Sequence, residues 1–192
     1  MFTLPHKMFN SRRNGQSLLE AVVALGVLTT VLLGVSPLLS RSFLLNRVNT
    51  DETTGTYLAA EGIEITKNIL DHDYYTGAAD PGASWGTCGG TCTANGLYRM
   101  DYASAIATPI LSGACDASDD PYLYFSTTTK LYSYSSVNAA TTTFQRCITI
   151  SHTRYGGGRI SEVTVDSMVT WSAGPLAAQS VDLEDHFYNW RP

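Results

Sequence analysis

Hydrophobic residues occupy almost every position in one early stretch of the chain. From Ala21 to Leu39 no residue is charged, and a single acid, Glu20, stands directly before this run. About 20 apolar residues are enough for a helix to cross a bilayer. The pattern therefore predicts a membrane-crossing helix over residues 16–39, with one carboxylate near its start.

Beyond residue 39 the hydrophobic positions recur at intervals of three and four, as they do on one face of a helix. The stripe consists of Leu44, Leu45, Val48, Leu58, Ala59, Ile63, Ile65 and Ile69. The charged residues between them are expected to face water, and they are Asp51, Glu52, Glu61, Glu64 and Lys67. One helix from Gln16 to about Asp71 is predicted, bent where Pro37 removes a hydrogen bond. Two helices broken near residues 40–49 are the alternative.

After about residue 120 the hydrophobic residues alternate with polar ones, which is typical of β-strands. Strands are predicted over 122–125, 131–134, 144–151, 163–171 and 181–187, with one face formed in part by Phe144, Arg146, Ile148 and Ile150. Such a sheet needs a cover for its apolar face, and the helix stripe can supply it. The predicted fold class is α+β, a long N-terminal helix packed on a C-terminal antiparallel sheet. Gly55 and Gly62 would let the two approach closely.

The residues before the apolar run form a basic leader. Lys7, Arg12 and Arg13 lie within residues 1–15, which contain no acid. A basic flank predicts that the amino terminus stays cytoplasmic and that the rest of the chain is exported. An ordinary secretory signal would show a small-residue cleavage site after the apolar core, and no Ala-x-Ala occurs between residues 32 and 49. The predicted organisation is a leader (1–15), an apolar helix (16–39) and a globular head with the continuing helix (40–192).

The charge balance bears on the choice of partners. Removal of the leader, with its three basic residues, would take the formal charge from −5 to −8. The remaining basic residues are scattered, whereas binding to nucleic acid relies on grouped Lys and Arg. Nucleic acid is therefore not expected as a partner.

The residues from Arg12 to Glu20 resemble the processing signature of the type IV pilin family, which includes major pilins, minor pilins and the pseudopilins of type II secretion. Members have a short basic leader, a glycine at the cleavage position and a glutamate at the fifth position after the cut. The matching residues here are Gly15 and Glu20. Pro37 agrees with the proline that many members carry in the apolar helix. The residue after the cut is often Phe, and Gln16 departs from that pattern.

The resemblance implies a type IV pilin-like fold and a structural function without catalysis or cofactor. A prepilin peptidase would cut between Gly15 and Gln16, and Gln16 would then be the position of N-methylation. Glu20 would neutralise the new amino terminus of a neighbouring subunit in the filament. The implied partners are the peptidase, other pilin or pseudopilin subunits, a membrane assembly platform and membrane lipid. The protein would reside in the cytoplasmic membrane and then in an extracellular or periplasmic filament.

The cysteines fall in the exported part of the chain, where oxidation favours disulfides. Their even number predicts two bonds among three possible pairings. Cys88 with Cys92 would close a small Gly-rich loop, and Cys115 with Cys147 would attach the long connection of residues 71–120 to a strand. A zinc site built from all four thiolates is the rival interpretation, although the spacing lacks a second close pair.

Other candidate chemistry is weaker. Acids at Asp71, Asp73, Asp116, Asp119 and Asp120 could coordinate calcium, but they lack the EF-hand spacing. Four histidines show no metal-ligand spacing, namely His6, His72, His152 and His186. No hydrolase or phosphate-binding motif occurs, so neither an enzyme nor a metal site is expected. The alternative function is a membrane-anchored extracytoplasmic binding module or adhesin, with its ligand site in the connection of residues 71–120.

Overall fold

The computed structural model describes residues 14–76, 85–90, 92, 94–102, 108–109, 122–156, 158–172 and 178–190. One long apolar helix is followed by an antiparallel sheet, which confirms the α+β layout. The chain divides into two compact units, Met1–Arg47 and Val48–Pro192. These are called the N-terminal unit and the C-terminal unit below. The basic residues of the predicted leader lie outside the described residues.

Helix α1 comprises Asn14–Thr76, 63 residues, and it continues through Pro37. The prediction of one long helix is confirmed, and the alternative of two helices broken near residues 40–49 is wrong. The hydrophobic stripe becomes buried only within the C-terminal unit. Leu58, Ala59 and Ile69 are buried there, whereas Leu44 and Leu45 in the N-terminal unit are exposed.

The sheet has seven strands among the described residues, and all of their pairings are antiparallel. They are β1 (Gly96–Arg99), β2 (Thr108–Pro109), β3 (Tyr122–Ser126), β4 (Tyr132–Ser133), β5 (Ala139–Arg154), β6 (Ile160–Ser172) and β7 (Ala178–Tyr188). The long strand β5 lies at the centre, with β6 along one side and β1 and β3 along different stretches of the other. Strand β7 pairs with β6 along its whole length.

Strands β1 and β2 fall in the long connection of residues 71–120, for which no strand was predicted. Strand β1 follows the Asn95-Gly96 turn and pairs with residues 148–150 of β5. Its four residues are too few to show an alternating pattern. They form a strand because β5 extends beyond β3 and leaves ladder positions that a short segment can fill.

The core of the C-terminal unit lies between α1 and one face of the sheet. One cluster consists of Ile69, Leu70, Trp85, Cys88, Cys92, Tyr98, Met100, Ile148, Ile150, Ile160, Val163 and Val165. A second cluster consists of Leu58, Ala59, Leu123, Phe144, Val169 and Trp171. The predicted cover of the sheet by the helix stripe is therefore present within this unit.

Two glycines of α1 set how closely the helix approaches the sheet. A Cβ atom at Gly55 would lie 2.7 Å from the Trp171 ring, and one at Gly62 would lie 2.5 Å from Oγ of Ser167. Real Cβ atoms do not make contacts this short, so a larger residue at either position would require the facing side chain or the helix itself to shift. The prediction that these glycines allow close approach is confirmed.

A buried arginine connects β5 to the helix. The Arg146 side chain is inaccessible to solvent, and its Nη1 donates to the Leu58 carbonyl at 3.0 Å and to Glu61 at 3.1 Å. Its Nη2 donates to the Met100 carbonyl at 2.7 Å. Buried charges persist in proteins when they are paired and hydrogen-bonded, as this one is. Glu61 thus faces the sheet with part of its side chain, rather than only water as the sequence suggested.

Candidate functional site

The N-terminal unit exposes an almost continuous apolar surface along α1. Leu18, Val27 and Leu33 have exposed fractions of 69%, 60% and 77%. The most apolar 18-residue window of the helix has a mean hydropathy of 2.3, and none of it is buried. By length and composition the helix can therefore cross a membrane.

Two threonine hydroxyl groups within this apolar segment are bonded inside the helix. Oγ1 of Thr29 donates to the Leu25 carbonyl at 2.9 Å, and Oγ1 of Thr30 donates to the Gly26 carbonyl at 2.8 Å. Such back-bonding satisfies side chains that would otherwise be costly in hydrocarbon. These two threonines are thus compatible with an apolar environment.

Glu20 is the exception on this surface. Its side chain is exposed, and no hydrogen bond or ion pair to it is found among the described residues. The next charged residue along the helix is Arg41, which is about 30 Å away at about 1.5 Å per residue. An unpaired carboxylate at the start of a membrane-length apolar surface requires a cation or water nearby.

The predicted cleavage position lies at the start of α1. The backbone of Gly15 and Gln16 is helical, as the helix begins at Asn14. The side chain of Gln16 lies outside the described residues, and neither cleavage nor N-methylation is tested by the structure. Pro37 lies within the helix, as predicted.

A disulfide joins Cys88 and Cys92, whose Cα atoms are 5.3 Å apart. The prediction of disulfide bonding is confirmed for this pair, and two of the four thiolates needed for a zinc site are accordingly oxidised. Cys147 is also disulfide-bonded. Cys115, its predicted partner, lies outside the described residues.

The other candidate ligands do not converge. No group of three or more His, Cys, Asp or Glu residues suited to a metal is found in the part of the chain that the structure describes. Asp71 is exposed, whereas Asp73 is buried. His72 is exposed near the end of α1. His6, Asp116, Asp119 and Asp120 lie outside the described residues.

His152 holds a loop against strand β5, a role that its position in the sequence did not reveal. Its Nε2 lies 2.9 Å from the Gly86 carbonyl, and its Nδ1 lies 2.9 Å from Oδ1 of Asn95. It therefore connects β5 to the loop that carries Trp85 and the Cys88–Cys92 disulfide.

A cavity of about 100 Å³ lies in the C-terminal unit where α1 ends. Five aromatic residues line it, namely Tyr74, Tyr75, Trp85, Tyr188 and Trp190. Asp71 and Asn189 supply polar groups at the same cavity. Clefts with aromatic walls and a few polar groups are typical of ligand sites. This aromatic cavity is therefore a candidate binding site.

Sequence reasoning missed this cavity because its walls come from three segments far apart in the chain. The residues derive from the end of α1, from the loop at 85, and from the end of β7 with the two residues after it. A weak signal existed in the adjacent tyrosines Tyr74 and Tyr75 in the last turn of α1 and in the aromatic pair Tyr188 and Trp190 at the end of β7.

Strands β6 and β7 bring acidic side chains together on one face of the sheet. Burial first, then a hydrogen bond with Asp182 and the charges of Asp182 and Glu184, together raise the pKa of Asp166 to about 7. The imidazole of His186 lies 2.8 Å from Glu162 and 3.2 Å from Glu184. These carboxylates, with the Glu162 bond first, raise the pKa of His186. Asp166 and His186 thus hold their protons more tightly than isolated groups do, and this surface resembles a proton-binding site more than a nucleophile paired with a base.

Comparisons of this chain with protein-family models, with characterised proteins and with solved structures find no match.

Proposed function

We propose that this chain is a structural subunit, a minor pilin or pseudopilin, of a type IV pilus or type II secretion-like filament. A prepilin peptidase would process it between Gly15 and Gln16 before assembly. One observation carries the proposal, namely that Glu20, which has no ion pair or hydrogen bond among the described residues, stands at the start of an exposed, membrane-length apolar helix surface. The similarity of residues 12–20 to the pilin processing signature supports it.

The physical reason lies in what an isolated carboxylate needs. Removing an ionised group from water costs several kcal/mol unless a cation and hydrogen bonds replace the lost hydration. Cleavage after Gly15 would create such a cation, the new amino terminus at Gln16. In a filament packed from apolar helices, the Glu20 carboxylate of one subunit would pair with that terminus of its neighbour.

The same surface suits both stages of this life cycle. Before assembly, the apolar side chains of residues 17–39 would lie in lipid, with the C-terminal unit on the exported side. After extraction they would pack against the helices of other subunits. The internal hydroxyl bonds of Thr29 and Thr30 hold in either environment, since they need no partner outside the helix. The chain would be a substrate of the peptidase and would catalyse no reaction itself.

The test compares Glu20→Ala with Glu52→Ala, which removes an exposed acid from the same helix beyond the apolar run. Mass spectrometry of the amino terminus should show wild type and both variants beginning at Gln16. Filaments sheared from cells should contain the wild type and Glu52→Ala but little Glu20→Ala. Normal incorporation of Glu20→Ala would contradict the role of Glu20, and a mature wild-type chain that keeps residues 1–15 would contradict the proposal as a whole.

A second candidate function is a binding module or adhesin held on a permanent membrane anchor. The aromatic cavity favours it, since Asp71 and Trp85 come from the connection where a ligand site was predicted. An intact leader on the mature chain would support this candidate and not the filament subunit.

A further inference from the structure

The aromatic cavity presents rings to solvent that a folded domain normally covers. Tyr75, Tyr188 and Trp190 have exposed fractions of 84%, 61% and 75%, whereas Trp85 behind them is 7% exposed. Exposed aromatic groups that gather at one concave site, rather than being scattered, indicate a surface that binds something. The volume of about 100 Å³ suits a small head group, since drug-sized ligands occupy about 300–1,000 Å³.

The electrostatics of the cavity favour a cation. Asp71 contributes a carboxylate, and none of the described lining residues is Lys or Arg. The cavity also lies at the C-terminal end of α1, which has no basic residue in its last turn. A helix C-terminus carries a partial negative charge from its unsatisfied carbonyls. The Asp71 carboxylate and the end of the helix therefore both attract a cation.

One of the rings is made more electron-rich by its own hydrogen bond. The Tyr188 hydroxyl donates to the Glu162 carboxylate, and this bond raises the pKa of Tyr188. A phenol that donates to an anion gains electron density in its ring, and a cation is held by the negative face of that ring. Glu162 is fixed in turn by His186, at 2.8 Å.

The walls are held in place before any ligand arrives. The loop that carries Trp85 is anchored through the Gly86 carbonyl to His152 at 2.9 Å and is closed by the Cys88–Cys92 disulfide. On the other side, the Asn189 amide donates to the Ser161 carbonyl at 2.9 Å, which fixes the segment leading to Trp190. Preorganised walls lower the entropy lost on binding.

We propose that the aromatic cavity binds an organic cation, a substituted ammonium group of the trimethylammonium type. Such groups bind over several aromatic faces, with a carboxylate nearby supplying the remaining attraction. The inference goes beyond the proposed filament function and does not depend on it, because every residue used lies in the C-terminal unit. The same head group occurs on free choline, on choline phospholipids and on trimethylated lysine.

The experiment uses the full chain in a non-ionic detergent without ammonium groups, with binding followed by isothermal titration calorimetry. Choline is compared with 3,3-dimethyl-1-butanol, its uncharged counterpart of nearly equal shape. Choline should bind saturably, and the neutral compound should bind at least about tenfold more weakly, as expected when the charge contributes about 1.4 kcal/mol. Glycerophosphocholine and a trimethyllysine peptide, titrated separately, distinguish the lipid and protein sources of the group.

Variants test whether the binding occurs at this cavity. Asp71→Asn and Tyr75→Leu should each weaken choline binding by about 2- to 30-fold, the range expected for loss of one cation–π or charge contribution. Tyr57→Leu is the matched control, because Tyr57 is another exposed tyrosine of α1 that does not line the cavity. Trp190→Phe should retain binding and Trp190→Leu should lose it, with circular dichroism confirming that both fold.

Three results would overturn the proposal. They are the absence of saturable choline binding by the wild type, equal binding of the neutral compound, and equal weakening by Tyr57→Leu and Tyr75→Leu. If the protein bound methyl glucoside saturably and did not bind choline, the cavity would be a sugar site, and this would also contradict the proposal.

Discussion

Nη1 of Arg146 on the central strand lies 3.1 Å from Oε2 of Glu61 on helix α1, and the pair joins the sheet to the helix that covers it. The arginine side chain is completely buried, whereas that of Glu61 is 30% exposed. Two backbone carbonyls also accept hydrogen bonds from Nη1 and Nη2, whereas the buried Nε has no partner among the described residues, so these bonds form only when helix and sheet are correctly placed. A misplaced α1 would therefore leave the buried charge of Arg146 without its partners.

The substitution Glu61→Ala should lower the free energy of unfolding by roughly 2–3 kcal/mol, because it leaves the buried guanidinium without its counter-charge. This loss is smaller than the about 3–5 kcal/mol that is usual when one partner of a buried ion pair is removed, because both carbonyls still accept from Arg146. Urea unfolding of the detergent-solubilised chain measures it. Glu64→Ala is the control, because the Glu64 side chain is 63% exposed and its Oε2 lies as far as 3.9 Å from Nζ of Lys67. A change of less than about 0.5 kcal/mol is expected for that surface pair. Equal losses of unfolding free energy in the two variants would show that the buried pair contributes no more to stability than the surface pair.

A second prediction concerns the glycine that faces this pair. In Gly62→Ala the new methyl group would lie 2.5 Å from Oγ of Ser167 and 3.3 Å from Cδ of Arg146. Either the Ser167 hydroxyl must rotate or helix and sheet must separate to admit it, and this strain should lower the stability of the C-terminal unit by about 1–3 kcal/mol. Gly26→Ala adds the same group where no atom lies within 4 Å, and it should leave that stability unchanged. Calorimetric melting compares the two variants, and an unchanged melting temperature for Gly62→Ala would contradict close contact.

The sequence was sufficient to predict α1 and the main strands, because each has a long and regular hydrophobic period. The apolar run and the stripe up to Ile69 predict one helix, and the alternation from Phe144 to Ile150 predicts the central strand. Short strands such as β1 had no such signal, since their formation depends on vacant positions along β5. The burial of Arg146 was visible in its place on the apolar face, but its partner Glu61 was not.

The aromatic cavity shows where sequence reasoning stops. Tyr75, Trp85 and Trp190 come together only after the helix, the disulfide loop and the last strand have folded. No spacing rule connects positions so far apart, because the distance between them is set by packing and not by local geometry. The membrane-length helix with Glu20 could be predicted, because all of its residues are neighbours in the sequence.

A third prediction concerns pH. The folded state holds the proton of Asp166 more tightly than the unfolded chain, because burial, Asp182 and Glu184 raise its pKa from 3.8 to about 7. The folded state therefore binds more protons, and stability should fall as the pH rises from about 4 to about 7. His186, whose pKa is also raised, contributes in the same direction, since its stabilisation is lost as the pH rises through its folded pKa.

Asp166→Asn should remove most of the Asp166 contribution. At pH 8 the variant should be more stable than the wild type by about 1 kcal/mol, after a discount for the partial solvent exposure of the group. At pH 4, where Asp166 is already protonated in the fold, the two should be nearly equal. Urea unfolding at the two values measures the difference. A variant that is less stable than the wild type at pH 8 would show that the ionised carboxylate is stabilising.

The last prediction separates the contributions of the disulfides. Replacing Cys88 and Cys92 together with alanine opens a loop of only a few residues, for which the chain-entropy model gives a loss of about 2 kcal/mol. Reductant should lower the stability of this double variant further, because Cys147 is also disulfide-bonded. Trp85 should gain solvent exposure in the variant, since its loop then keeps the His152 contact with Gly86 but loses its covalent closure. Unfolding curves with and without reductant, with acrylamide quenching of tryptophan fluorescence, measure both effects. If reductant leaves the variant unchanged, the bond at Cys147 adds no stability, and the anchoring of the chain to β5 must come from packing.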